Sequence, residues 1–145
     1  MSSLADAYDR LASGRRPHGI SAVLLPYTPE GVVDWPAFER HAGDTHRAGL
    51  DVAVNMDTGF GDLLSAAERD AVLDATRRVL GAGSRFYAGA YPDETGDHRA
   101  AIAAIERRGA IPVLVQSRRM HGLGAAQKAE LYRRACAGVG EAIAF

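Results

Sequence analysis

The chain has one cysteine, one lysine and no charge excess, and each of these shortages closes off a class of protein. Cys136 alone cannot form an internal disulfide, so no disulfide framework is expected and a reducing, cytoplasmic setting is. It falls in a predicted helix without an activating neighbour, which makes it a packed thiol rather than a nucleophile. Lys128, the single side-chain amine, falls near Gln127 and Glu130 on a predicted helix, where it is expected to face solvent. A formal net charge of −1 gives no electrostatic case for nucleic acid or an anionic membrane surface as partner. No segment approaches the ~18 apolar residues of a membrane span, and the first residues contain no apolar run of the signal-peptide kind.

What is present is the composition of an ordinary globular domain. Of 145 residues, 47% are hydrophobic and 24% charged, enough apolar surface for a real core. The arginine pairs Arg77–Arg78, Arg107–Arg108 and Arg133–Arg134 fall on predicted helices, toward whose C-termini cations are stabilised by the helix dipole.

A short amphipathic helix over residues 3–13, with Leu4, Ala7, Tyr8 and Leu11 on one face, ends at Gly14. A strand–helix pattern then repeats. Apolar runs at Ile20–Leu25, Val52–Met56, Phe86–Ala90 and Ile111–Val115 read as strands, and Glu141–Phe145 as the start of a fifth. Helices are predicted at Trp35–Ala48, after the Ser65–Glu68 capping box, at Asp93–Arg108 and at Ala125–Ala137. Asp34 caps the first of these, whose apolar face is Trp35, Phe38, Ala42 and Thr45. Val72, Ala75 and Val79 point inward from the second, Ile102 and Ile105 from the third.

Strands recur about every 30 residues and are continuous apolar runs, which indicates parallel strands buried on two faces and joined by crossover helices. An open doubly wound sheet would carry a glycine fingerprint after its first strand, but Pro26-Tyr-Thr-Pro29 stands there. Gly122-Leu-Gly124 precedes the fourth predicted helix, with Gln127 at the third glycine position. The reading is an N-terminal helix and lead-in over residues 1–17, and the first half of a (β/α)8 barrel over residues 18–145: four βα units and the start of strand five.

Ligands of such sheets bind outside the carboxyl ends of the strands. Those ends carry Pro26-Tyr27, Asn55-Met-Asp-Thr-Gly59, Tyr91-Pro-Asp-Glu94, and Gln116-Ser-Arg-Arg119 with His121. The second is the richest in chemistry. Asn55, Asp57 and Thr58 cluster after Val54, and Gly59 and Gly61 allow the turn to aim N–H groups at an anion. The same residues also suit a plain turn in which Asp57 bonds the loop's own backbone. Arg118 and Arg119 could clamp an acidic ligand or simply be solvated. His41 and His46 lie five apart, about 140° around their helix, and do not share a face as metal ligands would. His18, His98 and His121 are scattered, so no metal site is expected.

Three segments together resemble the dihydrodipicolinate synthase / N-acetylneuraminate lyase family. Leu25-Pro-Tyr-Thr-Pro-Glu-Gly-Val-Val-Asp34 is similar to its opening motif, and Asp57-Thr-Gly-Phe-Gly-Asp-Leu-Leu-Ser-Ala-Ala-Glu-Arg69 to its strand-two loop and following helix. Tyr87-Ala-Gly89 matches its third strand. The resemblance implies a barrel aldolase or lyase that makes or breaks a carbon–carbon bond next to a 2-oxo acid, typically pyruvate. That acid would be held as a Schiff base on a lysine of strand six. No cofactor is implied, because the lysine activates the carbonyl. It further implies a homo-oligomer, and a carboxylate held by Thr58 and Gly59. Tyr27, Asn55 and Arg118 would line the pocket.

The sequence departs from the family where its chemistry is concentrated. Asp57 stands in place of the first threonine of the loop, a proton-relay hydroxyl, and could act as relay or general base. Met56 replaces a glycine and Phe60 a glutamate. Gln116-Ser-Arg-Arg-Met120 replaces a stretch that carries a tyrosine pair. Neither Lys128 nor any other residue supplies an amine inside the sheet. The alternative expectation is therefore a catalytically inactive half-barrel that pairs with a second copy through its open edges and serves as a binding module.

Overall fold

The computed structural model describes residues 18–93, 96–116 and 118–144. The helix expected over residues 3–13 lies outside them, as do Phe145 and the side chain of Arg118. Five parallel strands form one sheet in sequence order: β1 (Ile20–Ala22), β2 (Asp51–Val54), β3 (Phe86–Ala90), β4 (Ile111–Leu114) and β5 (Ile143–Ala144). They alternate with α1 (Trp35–Arg47), α2 (Ala66–Leu80), α3 (Arg99–Glu106) and α4 (Ala125–Ala135). The result is a curled half-barrel, the first half of a (β/α)8 architecture. Register aligns Ala22, Ala53, Tyr87 and Ile111 across the sheet.

The strands lack polar alternation because both faces are covered. Every residue of β3 is buried. Between sheet and helices, Phe38, Val52, Val54, Val72, Leu73, Phe86, Ile102, Ile105 and Leu114 make the main core. Each large apolar side chain there contributes about 1.5–3 kcal/mol. On the concave side Ala53, Tyr87 and Val113 form a second, smaller cluster with Met56, Ile111 and Ile143. Among the described residues, no helix is long and apolar enough to cross a membrane.

Local signals explain most boundaries. Asp34 accepts the Ala37 N–H at 2.9 Å and opens α1. Ser65 and Glu68 form the reciprocal capping box that opens α2. The predicted helix at Asp93–Arg108 begins only at Arg99, six residues late. Asp93 accepts the Asp97 N–H at 3.0 Å and Gly96 takes φ 90°, a local turn that competes with the helix. Asp97 then accepts the Arg99 N–H at 2.9 Å. The first strand is shorter than its apolar run, although the Val23 N–H still bonds Ala53 O at 2.9 Å.

The amino ends of the strands, the floor of the half-barrel, are tied by arginines. Arg77 donates to the carbonyls of Arg108 (2.7 Å), Gly81, Ser84 and Gly109 (2.9 Å each) and lies 4.8 Å from the Phe86 ring centroid. Arg85 donates to Tyr87 Oη at 2.8 Å and to Glu141 at 2.5 Å, while Asp51 meets His18 at 2.7 Å.

Candidate active site

After Val54 the chain cannot continue as a strand, because Asn55 takes φ 52°. This turns its side chain toward α2, where Nδ2 donates to Arg69 O at 3.0 Å. A 3-10 turn follows at Asp57–Gly59, and Phe60 leaves it at φ 55°. Asn55 and Phe60 are the non-glycine residues with positive φ among those described. For a bulky side chain such as Phe60 the left-handed conformation costs about 1–2 kcal/mol.

The backbone donors of this bend are engaged within it. Thr58 N–H donates to the Asp57 carboxylate at 2.9 Å. Gly59 and Gly61 N–H groups donate to Met56 O at 3.0 Å, and Phe60 N–H to Asp57 O at 2.9 Å. Asp57 thus holds, with its own carboxylate, the donor that would otherwise meet an anion.

Two glycines let the neighbouring chains approach. A Cβ at Gly61 would lie 2.5 Å from Tyr91 Oη and 2.6 Å from Asn55 O, and one at Gly89 only 2.1 Å from Asn55 O. The Tyr91 hydroxyl is buried beneath the bend and finds no hydrogen-bond partner among the described residues, and neither does Asn55 Oδ1. Burial, followed by the nearby Asp62 and Asp57 carboxylates, pushes the Tyr91 phenol up to about 12, against the opposing pull of Arg69. The phenol therefore keeps its proton throughout the physiological range.

At the carboxyl ends of β2, β3 and β4 opens a cavity of about 690 Å3. Met56, Asp57, Asp62, Tyr91, Gln116 and His121 line it with Pro92 and the end of β4. Of the residues expected at a site, Asp57 lines this mouth. Thr58 is exposed beside it, and Gly59 is buried against β1, where a Cβ would lie 3.3 Å from Val23 O. Tyr27 is exposed in the β1–α1 loop, bridged to Val33, and is not part of the lining. Asn55 is buried behind the bend and faces α2. Arg118 opens the 3-10 turn Arg118–Gly122.

Sequence reasoning missed Asp62, and missed Arg69 as a contributor to the mouth. Tyr91 and Gln116 were visible as strand-end residues. Of the histidines, His121 reaches the mouth, whereas His98 is buried with Nε2 donating to Val115 O at 2.9 Å. Lys128 lies on α4 and does not line the cavity.

Comparison with solved structures places this fold. It matches the chloride-inhibited dihydrodipicolinate synthase from Acinetobacter baumannii, complexed with pyruvate, at 21% identity and TM-score 0.69, covering 88% of this chain and 44% of that one. The dihydrodipicolinate synthase from Oceanobacillus iheyensis matches at 17% identity and TM-score 0.73, over 87% of this chain and 43% of that one. The 4-hydroxy-tetrahydrodipicolinate synthase from Methylacidiphilum fumariolicum SolV matches at 16% identity and TM-score 0.73, over 89% and 44%. This chain spans less than half the length of each. No protein-family model and no curated protein matches the sequence.

Proposed function

We propose that the chain is the front half of a barrel lyase acting on a 2-oxo acid such as pyruvate, by making or breaking a carbon–carbon bond. The observation that carries this reading is the position of the Asp57–Arg69 segment. The motif that resembles the family's strand-two loop borders the strand-end cavity of a half-barrel whose solved likenesses include one complexed with pyruvate.

In this reading the incoming carboxylate takes the Thr58 N–H from Asp57 and the Gly59 N–H from Met56 O, with the Thr58 hydroxyl as a further donor. The freed Asp57 carboxylate then serves as general base or proton relay. Two carboxylates competing for one donor repel each other, so the exchange is driven only where the ligand brings additional contacts. Tyr91 and His121 flank the bound carbonyl, and Arg118 is a further candidate ligand for the acid. The carbonyl is activated as a Schiff base on a lysine of a further strand, because Lys128 stands outside the mouth; no cofactor is needed. The working protein is a cytoplasmic homo-oligomer.

Borohydride trapping with pyruvate on the full reading-frame product tests the chemistry. A stable adduct on a lysine beyond Lys128 is expected; no adduct, or one on Lys128, excludes it. Amide NMR on this chain tests the binding step, with the Thr58 N–H as the resonance that must move.

A second reading is favoured by one observation. Ile20 and Leu24, 42% and 55% exposed, present apolar surface at the open edge beside β1. A self-associating half-barrel that acts as a binding module would cover them. Sedimentation at two concentrations separates the readings, since a monomer at both excludes self-association.

A further inference from the structure

We propose that Arg69 is the positioning residue of the mouth: its guanidinium holds the Met56–Leu64 loop down over Tyr91 and so decides that Asp57 and Asp62 face the cavity. The proposal rests on the reading of that cavity as the ligand site.

The loop needs such a clamp. Both non-glycine residues with positive φ among those described belong to it, Asn55 as the residue that leads into it and Phe60 at its centre. Backbone of this kind persists only where its surroundings over-determine it. The loop's own backbone bonds are short-range, from Gly59 and Gly61 to Met56 and from Leu63 to Phe60, and shape the bend without fastening it to the sheet. Arg69 does the fastening. One guanidinium nitrogen, Nη1, donates to Gly61 O at 3.1 Å and to Leu64 O at 2.6 Å. The same group lies 5.1 Å from the Tyr91 ring centroid, and the Arg69 carbonyl accepts Asn55 Nδ2 at 3.0 Å.

One residue therefore touches the entry of the loop, its exit and the phenol of the next strand. Its own place is fixed by the first turn of α2, which the Ser65–Glu68 capping box pins immediately before it. The contact set calls for a planar cation that donates in its plane while stacking on a ring face. A lysine ammonium, a point charge on a flexible stem, cannot do both. Tyr91 is the sensor of the clamp, because its hydroxyl stays dry only while Gly61 lies across it.

Arg69→Met and Arg69→Lys test this in the full chain. Hydrogen exchange at the Gly61 and Leu63 amides is expected to quicken by about tenfold or more in both variants while the amides of β3 keep their protection. Tyrosine ring carbon NMR at about pH 10.5 supplies a signed second readout, because an ordinary phenol is largely ionised there. The wild-type Tyr91 stays protonated, and a released loop uncovers the hydroxyl and lets it ionise in part. Loss of the Arg69 charge alone acts in the opposite direction, since that cation favours the phenolate. Unchanged exchange at Gly61, or a Tyr91 no more ionised than in the wild type, overturns the proposal. Should Arg69→Met lose protection across β3 as well, Arg69→Lys decides, and normal Gly61 exchange there is equally fatal. Pyruvate is titrated separately into the wild-type chain. Failure of the full reading-frame product to bind it as well refutes the oxo-acid reading and leaves the exchange result standing.

Discussion

The two ends of this half-barrel solve the same problem, how to leave a strand, in opposite ways. At the floor the chain ends are held by added donors. Arg77 alone satisfies the carbonyls of Arg108, Gly81, Ser84 and Gly109, and Arg85 joins Tyr87 to Glu141. At the mouth the chains come together because side chains are missing, at Gly61 and Gly89. There the backbone is bent to positive φ, and a buried phenol and a buried amide oxygen are left without partners among the described residues. The floor carries satisfied groups and stabilises the fold. The mouth carries unsatisfied and strained ones, which only the surrounding packing holds in place.

This contrast can be broken by substitution. The largest effect is expected at the floor, where Arg77→Met keeps the stem over Phe86 but strips four carbonyls of their donor. A loss of about 3 kcal/mol in urea unfolding is expected, at roughly 1–3 kcal/mol for each group left dry and much less for those that water can reach. A loss below about 1 kcal/mol would mean that the floor is no better held than the mouth. Gly89→Ala follows, at about 3 kcal/mol or slightly less, because its Cβ meets a backbone oxygen that cannot rotate away.

Phe60→Gly should act in the other direction. It relieves the left-handed strain of an exposed side chain and stabilises by about 1 kcal/mol, after the entropy that glycine adds to the unfolded chain. A destabilisation of that size would show that Phe60 is held by packing and that the mouth is not strained there.

Tyr91→Phe has the smallest effect at neutral pH, neutral to slightly stabilising, because the hydroxyl it removes has no partner to lose among the described residues. Its signature lies in alkali. The folded-state pKa is raised from 10 to about 12, so the stability from burying the neutral phenol is fully present below pH 10. That stability is lost as pH rises from 10 toward 12. The variant should lack this part of the alkaline slope, and an unchanged slope would mean that the phenol is already solvated.

Much of the framework was legible from residues near one another in the chain. The Asp34 cap, the Ser65–Glu68 box and the five-residue run of β3 are local signals, and all three stand as read. The late start of α3 was not legible, because an aspartate turn and a helix compete for the same N–H groups over Asp93–Asp97 and composition does not name the winner. In the site, strand-end position drew attention to Asp57, Tyr91 and His121, and the structure brings these three to one cavity. Asn55 was read as a pocket residue; asparagine tolerates positive φ better than most side chains, but its type alone did not say that φ 52° here turns it to the back of the sheet.

By itself, then, the sequence determined a parallel βα succession, its caps and the end of the sheet at which polar residues gather. Those follow from hydrophobic period and hydrogen bonds spanning a few residues. Only the tertiary structure decided which of those polar groups reach the cavity, that the bend spends its own donors on Asp57 and Met56, and that Arg69 reaches from α2 to Gly61 and Tyr91. Contacts between side chain and backbone of different elements depend on angles and distances of a few ångströms, and no residue's identity carries them.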